Sequence, residues 1–386
     1  MPQITPPSAE ALAQAIRDAA STGKAIAVMG NNSKRLMAGP ILPADVTVST
    51  AGLNQILQYE PNDLTVSVES GMRFDALQKL LGQNRQMIAL DPPFWPQASI
   101  GGVIASNTSG PMRRAFGTAR DLTIGMKFAT LEGKLVSTGG MVVKNVAGLD
   151  MGKMMIGSFG TLAVITSVNL RLHPVPEQTE TFAFSFADLD AAIEKRDAIL
   201  RGVLRPMAVD LMSSAASARL GHRGYLLAMR AGGSRKVLDR YARELAGSER
   251  LKSIDDTNFW TQVREYTPDY LRRQRGGVVL RISTTLSSVG TVLRLVSGAA
   301  ITRAASGVTY AYLSSWQGVS ALRKAATEHG WGIVVEYASD EIRSEKDLWL
   351  APSREGPANA FAMMKRVKQM FDPNNSLNRL RLYGRI

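Results

Sequence analysis

The chain has 386 residues, of which 45% are hydrophobic and 20% are charged. This balance is ordinary for a globular protein, and the length predicts two or three domains. The chain contains no cysteine, which excludes disulfide bonds, thiolate zinc sites and cysteine-ligated iron–sulfur clusters within it. No apolar run reaches the roughly 18 residues that a membrane-spanning helix needs, and the first residues lack the basic-then-apolar pattern of a secretory signal.

The net charge of +13 bears on which partners the chain attracts. Strongly basic proteins often bind nucleic acid. Here the basic residues are scattered in short pairs such as Arg235-Lys236, Arg272-Arg273 and Lys365-Arg366, with acidic residues between them and no nucleic-acid motif. The distribution therefore favours an acidic partner protein or an anionic ligand over nucleic acid.

The first 175 residues combine helices and strands in a mixed order. Residues 8–22 are predicted to form a helix that Ser8 caps and Gly23 ends. The next predicted elements are a buried strand at 25–29, alternating strands at 46–50 and 64–68, a helix with Phe74 and Leu77 on its apolar side, and several short strands within 121–170. This order predicts an α+β domain.

The residues after Pro176 predict a different architecture. Their order is strand, helix, strand, strand, helix, strand, which is the split ferredoxin-like unit. The predicted segments are 182–186, 189–201, 206–212, 224–230, 235–246 and 251–254. A similar alternation with strands near 278–283, 308–313 and 333–337 predicts a second half that continues the same sheet.

The last predicted element is an amphipathic helix over Asn359–Phe371, which Asp372-Pro373 ends. Its apolar side carries Phe361, Met364, Val367 and Phe371, and its polar side carries Lys365, Arg366 and Lys368. A helix in this position commonly returns to pack on the first domain. The expected domains are therefore 1–175, an α+β domain; 176–350, a ferredoxin-like domain; and 351–386, the returning helix and tail.

The stretch from Asp91 to Gly110, DPPFWPQASIGGVIASNTSG, is the most informative segment of the chain. It joins the adjacent glycines Gly101 and Gly102 to small hydroxyl and amide residues, and no charged side chain follows Asp91 in it. Glycines let a backbone approach a ligand closely, and successive backbone N–H groups hold anions. We expect a loop that grips a diphosphate through its backbone. The alternative is a glycine-rich surface loop.

A second loop of similar character, residues 30–34, follows the apolar run 25–29 and reads GNNSK. Asparagine and serine tolerate turns and can donate hydrogen bonds, although an ordinary polar turn would have the same composition. Two such loops indicate a large dinucleotide on a fold other than the Rossmann fold. Two further small-residue segments are Val142–Gly148 and Gly157–Leu162. The serine of the latter lacks the spacing of a nucleophile elbow, so it supports no serine triad.

Taken in order, these four segments resemble the flavin-binding domain of the vanillyl-alcohol-oxidase superfamily, the PCMH-type FAD domain. Within that superfamily the chain is similar to the E subunits of bacterial glycolate oxidases. The resemblance covers nearly the whole chain and is strongest in Leu53–Gly71, Asp91–Asp121, Val142–Asp150 and Gly157–Pro174. It implies an α+β fold: a PCMH-type FAD-binding domain of two α+β subdomains, then a ferredoxin-like cap domain, then a carboxyl-terminal helix that returns to the FAD domain.

The resemblance further implies that FAD is the cofactor and that four groups of residues contact it. Gly30, Asn31, Asn32, Ser33 and Lys34 would hold one side of the diphosphate. Ser99, Gly101, Gly102, Asn107, Ser109 and Gly110 would wrap the diphosphate, the ribityl chain and the flavin edge. Gly117, Thr118 and Asp121 would support that wall, and Gly157, Gly160, Val164 and Ile165 would lie along the adenine and ribityl side.

The sequence departs from the family pattern in three places. Residues 31–33 are Asn-Asn-Ser where relatives have glycine and threonine. Neither diphosphate loop contains a histidine, so the FAD is expected to be non-covalent. Residues 372–380 read DPNNSLNRL where relatives tend to have Asn-Pro-Gly. Asn378 is kept, but the turn after it is altered.

Histidine usage bears on catalysis. Related D-2-hydroxy-acid dehydrogenases carry a His-x-Gly-Asp-Gly-Asn-x-His stretch, whose histidines bind metal and accept the substrate proton. This chain has three histidines, His173, His222 and His329, and none lies in such a setting. Each is expected to be structural. Hydride removal from an alcohol needs a base near the flavin, and the sequence offers no catalytic base and no metal ligand set.

The resemblance thus implies an FAD-dependent oxidoreductase subunit of a glycolate oxidase-type complex. A sister FAD subunit would oxidise a small 2-hydroxy acid, and an iron–sulfur subunit would accept the electrons. The expected location is the cytoplasm, or the inner face of the cytoplasmic membrane through partners. Two alternatives stay open. The chain could oxidise the hydroxy acid alone, with Arg114, Arg272 or Arg281 holding the carboxylate, or it could be an interaction subunit with a vestigial flavin site.

Overall fold

The computed structural model describes residues 2–141, 150–350 and 360–386. The chain divides into two compact units. The first unit comprises Met1–Ser109, Gly117–Val175 and Ser353–Ile386, and the second unit comprises Gly110–Phe116 and Pro176–Pro352. None of the helices in the described ranges combines the length and the apolar character that crossing a bilayer requires.

The helices and strands up to residue 175 follow one another in a mixed order. They are β1 (Gln3–Ile4), α1 (Ala9–Ser21), β2 (Ile26–Met29), β3 (Val46–Ser49), β4 (Ile56–Glu60), β5 (Thr65–Glu69), α2 (Phe74–Gly82), β6 (Gln86–Met87), α3 (Ile100–Ser106), α4 (Arg113–Phe116), α5 (Ala119–Leu122), β7 (Thr123–Ala129), β8 (Leu135–Gly139), α6 (Gly152–Met155), β9 (Val164–Arg171) and β10 (His173–Pro174).

The remaining elements begin after the proline-rich junction at 174–176. They are β11 (Gln178–Phe186), α7 (Leu189–Arg201), β12 (Ala208–Met212), α8 (Ser214–Arg219), β13 (Tyr225–Gly233), α9 (Arg235–Glu244), β14 (Glu249–Lys252), α10 (Ile254–Arg264), α11 (Tyr266–Arg273), β15 (Val278–Ser283), α12 (Val289–Leu295), β16 (Ala299–Arg303), β17 (Val308–Leu313), α13 (Val319–His329), β18 (Gly332–Tyr337), α14 (Asp340–Glu345) and α15 (Ala360–Phe371).

The first subdomain of the first unit is a small parallel sheet covered by helix α1. The described strands run in the order β1-β3-β2. Helix α1 starts where predicted, because the Ser8 hydroxyl accepts a hydrogen bond from the Ala11 backbone N–H at 3.1 Å and caps the helix. Leu12 and Ile16 are fully buried on its inner face. Strand β2 lies at one edge of this sheet, and the loop 30–34 follows its carboxyl end.

The second subdomain contains an antiparallel sheet with the described strand order β4-β5-β9-β7-β8. Strand β5, which lies between β4 and β9, was expected to alternate between buried and exposed residues. Instead Thr65 and Ser67 are buried as well as Val66 and Val68, because both faces of this strand are covered. The core of the second subdomain also contains Phe128 and residues of α2 and α3.

The glycine-rich stretch 91–110 is not a loop throughout, so that expectation was wrong. Residues Ile100–Ser106 form helix α3, and the Ser99 hydroxyl accepts a long hydrogen bond of 3.3 Å from the Gly102 N–H at its start. A Cβ at Gly101 would lie 2.7 Å from the Ser70 Cβ. Glycine is therefore required here by close packing of the helix on the chain after β5, rather than by a turn.

The described strands of the second unit form one antiparallel sheet in the order β14-β11-β13-β12-β16-β17-β15-β18. Each half of this order is the split ferredoxin-like arrangement, and pairing of β12 with β16 joins the two halves. The predicted continuous sheet is confirmed. Strand β16 was not predicted, because its sequence, AAITR, shows no apolar alternation.

A buried carboxylate ties helix α10 to the sheet of the second unit. Asp256 is fully buried. Its oxygens accept hydrogen bonds from the hydroxyls of Thr179 at 2.7 Å and Thr181 at 2.6 Å and from Arg230 Nη2 at 2.8 Å. Because the charge is paired and its oxygens are bonded, the site stabilises the contact between α10, β11 and β13.

One residue of helix α15, Lys368, is buried although the amphipathic pattern predicted it to be on the polar side. The first predicted residue of this helix, Asn359, lies outside the described residues. Lys368 was assigned to the polar side, but its side chain is only 8% exposed. The ammonium donates to the carbonyls of Thr161 at 2.8 Å and Leu377 at 2.9 Å and pairs with Asp372 at 2.5 Å. Burial lowers the pKa of Lys368, and Asp372 opposes that shift.

Candidate functional site

A cleft in the first unit brings together segments that are far apart in the sequence. Its walls are the end of β2 with the loop 30–34, the loop 40–44, the start of α3, the segment 159–165 and the tail residues Asn378, Arg379 and Arg381. Thr50 and Ser70 complete the lining. All of these residues belong to the first unit.

The first wall depends on close approach between the loop after β2 and the start of α3. A Cβ at Gly30 would lie 2.4 Å from the Ser99 Oγ, so any larger residue would force the two segments apart. Asn32 has φ +53°, a left-handed conformation that asparagine adopts more readily than most residues. Asparagine at position 32 therefore suits the turn.

The first N–H groups of helix α3 bind to protein atoms. The Ile100 N–H donates to the Met72 carbonyl at 2.9 Å, and the Gly101 N–H donates to the Ser70 carbonyl at 2.7 Å. The Gly102 N–H makes only the long bond to Ser99. The glycines of α3 therefore give the cleft a wall that a ligand can approach closely, while the Gly101 amide is already used.

The segment after α6 forms the opposite wall. The Phe159 N–H donates to the Ala105 carbonyl at 2.8 Å, which holds this segment against the end of α3. Gly160 has φ +67°, and a Cβ there would lie 2.8 Å from the Asn378 Nδ2. Glycine at 160 thus lets the tail reach the cleft.

Asn378 connects two walls of the cleft. Its side-chain oxygen accepts a hydrogen bond from the Val28 N–H at 2.8 Å, and its Nδ2 donates to the Phe159 carbonyl at 2.9 Å. Its backbone N–H also donates to the Ile26 carbonyl at 2.9 Å. Asn378 therefore lies in the cleft wall, although the turn after it departs from the family pattern.

The charge of the cleft is wholly positive. Among the described residues that line it, the ionisable side chains are Lys34, Arg379 and Arg381, and no carboxylate, histidine or tyrosine lines it. Val28, Ile41, Leu42, Phe159 and Val164 supply apolar surface. The Ser70 hydroxyl is fully buried in this wall and has no hydrogen-bond partner among the described residues. This chemistry suits an anionic ligand with a flat apolar part, and it offers no carboxylate or imidazole to accept a proton.

Most of the sequence-predicted site residues line the cleft. They are Gly30, Asn31, Asn32, Ser33, Lys34, Ser99, Gly101, Gly102, Gly160, Val164 and Ile165. The other predicted residues lie outside its lining. They are Asn107, Ser109, Gly110, Gly117, Thr118, Asp121 and Gly157.

The residues outside the lining have local structural contacts. The Asp121 carboxylate accepts hydrogen bonds from the Thr118 N–H at 2.7 Å and hydroxyl at 2.9 Å, and so caps helix α5. A Cβ at Gly117, where φ is +84°, would lie 2.6 Å from that carboxylate. Asn107, at φ +50°, ends α3, and the Gly157 N–H donates to the Ile104 carbonyl at 3.2 Å. Gly110 belongs to the second unit, and the motif Val142–Gly148 lies outside the described residues.

Sequence reasoning did not predict the arginines of the tail. Arg381 and Arg379 lie about 350 residues beyond the loops that they contact, and no local pattern marks them. Asn378 was predicted from the family pattern, and no other feature of the sequence pointed to the tail.

The histidines lie elsewhere and have neighbours of their own. His173 lies in β10, and burial, aided by Arg171, lowers its pKa. His222 has its Nδ1 3.6 Å from the Glu249 carboxylate, and His329 stacks on Trp331 at 4.7 Å between ring centroids. Among the described residues, no group of three or more His, Cys, Asp or Glu side chains is arranged to hold a metal.

The three arginines considered as carboxylate ligands belong to the second unit and have partners there. The Arg281 Nε lies 2.9 Å from the Glu336 carboxylate, and the Arg272 Nη2 lies 3.2 Å from the Asp269 carboxylate. The Arg114 guanidinium donates to the Ala305 carbonyl at 3.2 Å. These contacts use donors that a substrate carboxylate would need.

Two family models match the chain, and between them they include every wall of the cleft except the segment 159–165. An FAD binding domain matches residues 3–139, and the C-terminal domain of FAD linked oxidases matches residues 325–382. Both matching models describe parts of FAD-linked proteins. Its cofactor is FAD, and it is an FAD-dependent oxidoreductase. The second match includes the tail residues 378–381.

Curated relatives of this chain include subunits of glycolate oxidase. Glycolate oxidase subunit GlcE of Escherichia coli (strain K12) is 28% identical over 257 residues, which are 66% of this chain and 68% of the relative. Glycolate oxidase subunit GlcD of Bacillus subtilis (strain 168) is 29% identical over 160 residues, 42% of this chain and 34% of the relative. The chain thus matches about a third of GlcD's length. It is an FAD-linked oxidoreductase of the glycolate oxidase type.

A solved structure shares the fold over almost the whole chain. The 4-ethylphenol oxidase from Gulosibacter chungangensis matches with a TM-score of 0.72 and 16% identity, covering 98% of this chain and 88% of that structure. The predicted α+β architecture of the PCMH type is therefore confirmed, and at this identity the likeness concerns the fold alone.

Proposed function

We propose that the cleft holds FAD without a covalent bond. Loop 30–34 and the start of α3 lie on one side of the diphosphate, and Val164 and Ile165 lie along the adenine and ribityl side. The wholly cationic lining supports this placement because two phosphates carry negative charge. The glycines at 30, 101 and 160 support it as well, because they let backbone approach a ligand closely.

The chain acts as the FAD-binding subunit of a complex that oxidises a small 2-hydroxy acid. In such a reaction, bound FAD would accept two electrons. The observation that carries this proposal is the composition of the cleft, which has Lys34, Arg379 and Arg381 but no described histidine, tyrosine or carboxylate. Removing hydride from an alcohol also requires a proton acceptor, so the substrate is oxidised on a sister subunit. This chain passes electrons onward or supports that subunit.

The partners follow from the same reasoning. The sister subunit is a second FAD protein, for which the similarity to GlcD gives a model. The chain has no cysteine to bind an iron–sulfur cluster of its own, and, as the resemblance to glycolate oxidase subunits implies, a separate iron–sulfur subunit accepts the electrons. The complex works in the cytoplasm, or at the inner face of the cytoplasmic membrane through its partners.

Visible spectroscopy tests this proposal. The chain is purified alone and with its sister subunit, spectra are recorded before and after adding FAD, and glycolate or D-lactate is then added without oxygen. We expect a flavin spectrum for the lone chain that neither acid bleaches, and bleaching once the sister subunit is present.

Two other outcomes identify the alternatives. Bleaching of the lone chain's flavin by either acid would show that the chain is self-sufficient. A chain that stays colourless after exposure to FAD would show a vestigial site and an interaction role. A desalting column, which delays free FAD behind the protein, distinguishes bound cofactor from cofactor that was merely added.

A further inference from the structure

The tail segment Asn378–Arg381, here called the tail clamp, contacts three other walls of the cleft: β2 with the loop 30–34, the loop 40–44 and the segment 159–165. Asn378 bonds to Val28 and to Phe159, as described above. The Arg379 guanidinium donates to the Pro43 carbonyl at 2.7 Å, in the loop 40–44. Arg381 bonds to the loop that follows Lys34. A segment of four residues therefore bonds to β2, to Phe159 and to the loops on either side of Gly39.

Arg381 makes the largest set of these contacts. Its guanidinium donates to the Lys34 carbonyl at 2.9 Å and also to the carbonyls of Met37 and Gly39. The same group lies 5.9 Å from the centre of the Phe159 ring. Arginine suits this task because its planar fork presents several donors in fixed directions. Lysine, with its single ammonium group, could not satisfy three carbonyls with the same geometry.

The backbone of the tail clamp is seated as closely as its side chains. The Gly39 N–H donates to the Arg381 carbonyl at 3.0 Å. A Cβ at Gly39 would lie 1.9 Å from the Leu380 carbonyl oxygen. Glycine at 39 is therefore required for the loop and the tail to meet.

A buried group fixes the other end of the tail. Asp372 is 1% exposed, and its carboxylate accepts the backbone N–H groups of Ser376 at 2.9 Å and Leu377 at 2.8 Å, together with the Lys368 ammonium. Because Lys368 also bonds to the Thr161 carbonyl, helix α15 and the wall 159–165 share one anchor. The tail clamp thus starts from a fixed point.

We infer that Arg381 is a positioning residue for the cofactor: it holds the loop 30–39 in the shape that binds FAD, so docking of the tail clamp sets the affinity for FAD. This inference rests on the proposed placement of FAD in the cleft. In this role the guanidinium acts on the ligand through the carbonyls of residues 34–39. Loss of Arg381 is therefore expected to loosen the loop even when no flavin is present.

The test compares Arg381→Met and Arg381→Lys with the unaltered chain. Two quantities are measured on each protein: the dissociation constant for FAD, from flavin fluorescence, and amide hydrogen exchange of residues 30–39 in the flavin-free state. We expect Arg381→Met to weaken FAD binding at least about tenfold and to speed exchange in the loop, with Arg381→Lys between the two. The exposed Arg240, which pairs with Glu244 in the second unit, provides the control Arg240→Met, for which neither quantity is expected to change.

The possible failures are distinguishable. If Arg381→Met weakens FAD binding without faster exchange in the flavin-free loop, Arg381 acts by direct contact and the positioning role is overturned. If exchange speeds up but affinity is unchanged, the clamp is structural only. If the unaltered chain binds no FAD, the proposed cofactor site is wrong, and the inference is overturned with it. Should Arg381→Met fail to fold, Arg381→Lys gives the same comparison.

Discussion

The shape and charge of the ligand that the cleft can bind depend on individual atoms of its lining. The missing Cβ of Gly30 leaves room for the Ser99 hydroxyl, and three cations without a facing carboxylate set the sign of the charge. Neither the fold nor the composition alone would produce this combination. The chemistry of the site is therefore most directly tested by changing individual residues.

Gly30→Ala is expected to weaken FAD binding at least about tenfold, which corresponds to about 1.4 kcal/mol. The added methyl would lie 2.4 Å from the Ser99 Oγ, so the loop after β2 must move away from α3. Titration of the purified protein with FAD measures the effect. Gly82→Ala is the matched control, because a Cβ at Gly82 meets nothing within 4 Å.

A second substitution distinguishes a local clash from general damage. The double variant Gly30→Ala with Ser99→Ala removes the clashing oxygen and should recover part of the lost affinity. Equal affinities for the single and double variants would contradict the clash as the cause.

Site residues could be predicted from the sequence only where the local composition itself indicates a binding loop. The glycines and small polar residues at 30–34 and 99–102 were predicted because their composition is unusual. Lys368 was placed on the wrong face, because its burial depends on Thr161 and Leu377, which no helical pattern includes. Arg381 was missed for the same reason, since its partners lie near the other end of the chain.

Elements form where short-range and long-range preferences agree. Helix α7 spans Leu189–Arg201, as predicted, because Asp188 caps it and its apolar residues keep helical spacing. Helix α3 was missed because adjacent glycines normally indicate a loop, whereas here packing against Ser70 selects glycine within a helix. Strand β16 was missed because two alanines carry little strand preference. In both cases tertiary contacts outweighed local propensity.

Asp256→Ala is expected to destabilise the second unit by about 3–5 kcal/mol, the usual cost of breaking a buried ion pair. The change leaves Arg230 without its carboxylate and removes the acceptors of Thr179 and Thr181. Denaturant unfolding measures the loss. Asp255→Ala is the control, because the adjacent Asp255 is exposed, and a similar loss there would contradict the role of the buried network.

Tyr270 of helix α11 makes the stability of the folded protein depend on pH in the alkaline range. Burial raises the pKa of Tyr270 from 10.0 to about 12, and its hydroxyl donates to the Leu313 carbonyl at 2.5 Å. The folded state therefore retains a proton that the unfolded state loses above pH 10, so this contribution to stability is complete below pH 10 and falls as the pH rises towards 12.

Tyr270→Phe is expected to make the loss of stability between pH 10 and 12 shallower, at the cost of a lower stability at pH 7. Thermal unfolding at a series of pH values measures both effects. Tyr225→Phe, which removes a hydroxyl from strand β13, serves as the comparison. An unchanged slope for Tyr270→Phe would show that other groups govern the alkaline transition.

At the scale of the whole molecule, the net charge of +13 should govern association. Charges on a protein surface are screened over about 8 Å at physiological ionic strength and over shorter distances in more salt. Association with the sister subunit is therefore expected to weaken as sodium chloride is raised, mainly through a slower association rate. Surface plasmon resonance at several salt concentrations measures this. Binding that is independent of salt would contradict a role for the charge.

The link between Arg381 and Lys34 joins residues 347 positions apart. During translation, the loop that begins at Gly30 emerges long before the arginine that holds it. The cleft therefore stays unfinished until synthesis has passed residue 381. If FAD binds there as proposed, flavin can load only after that point, and chains terminated before Arg381 should accumulate without pigment.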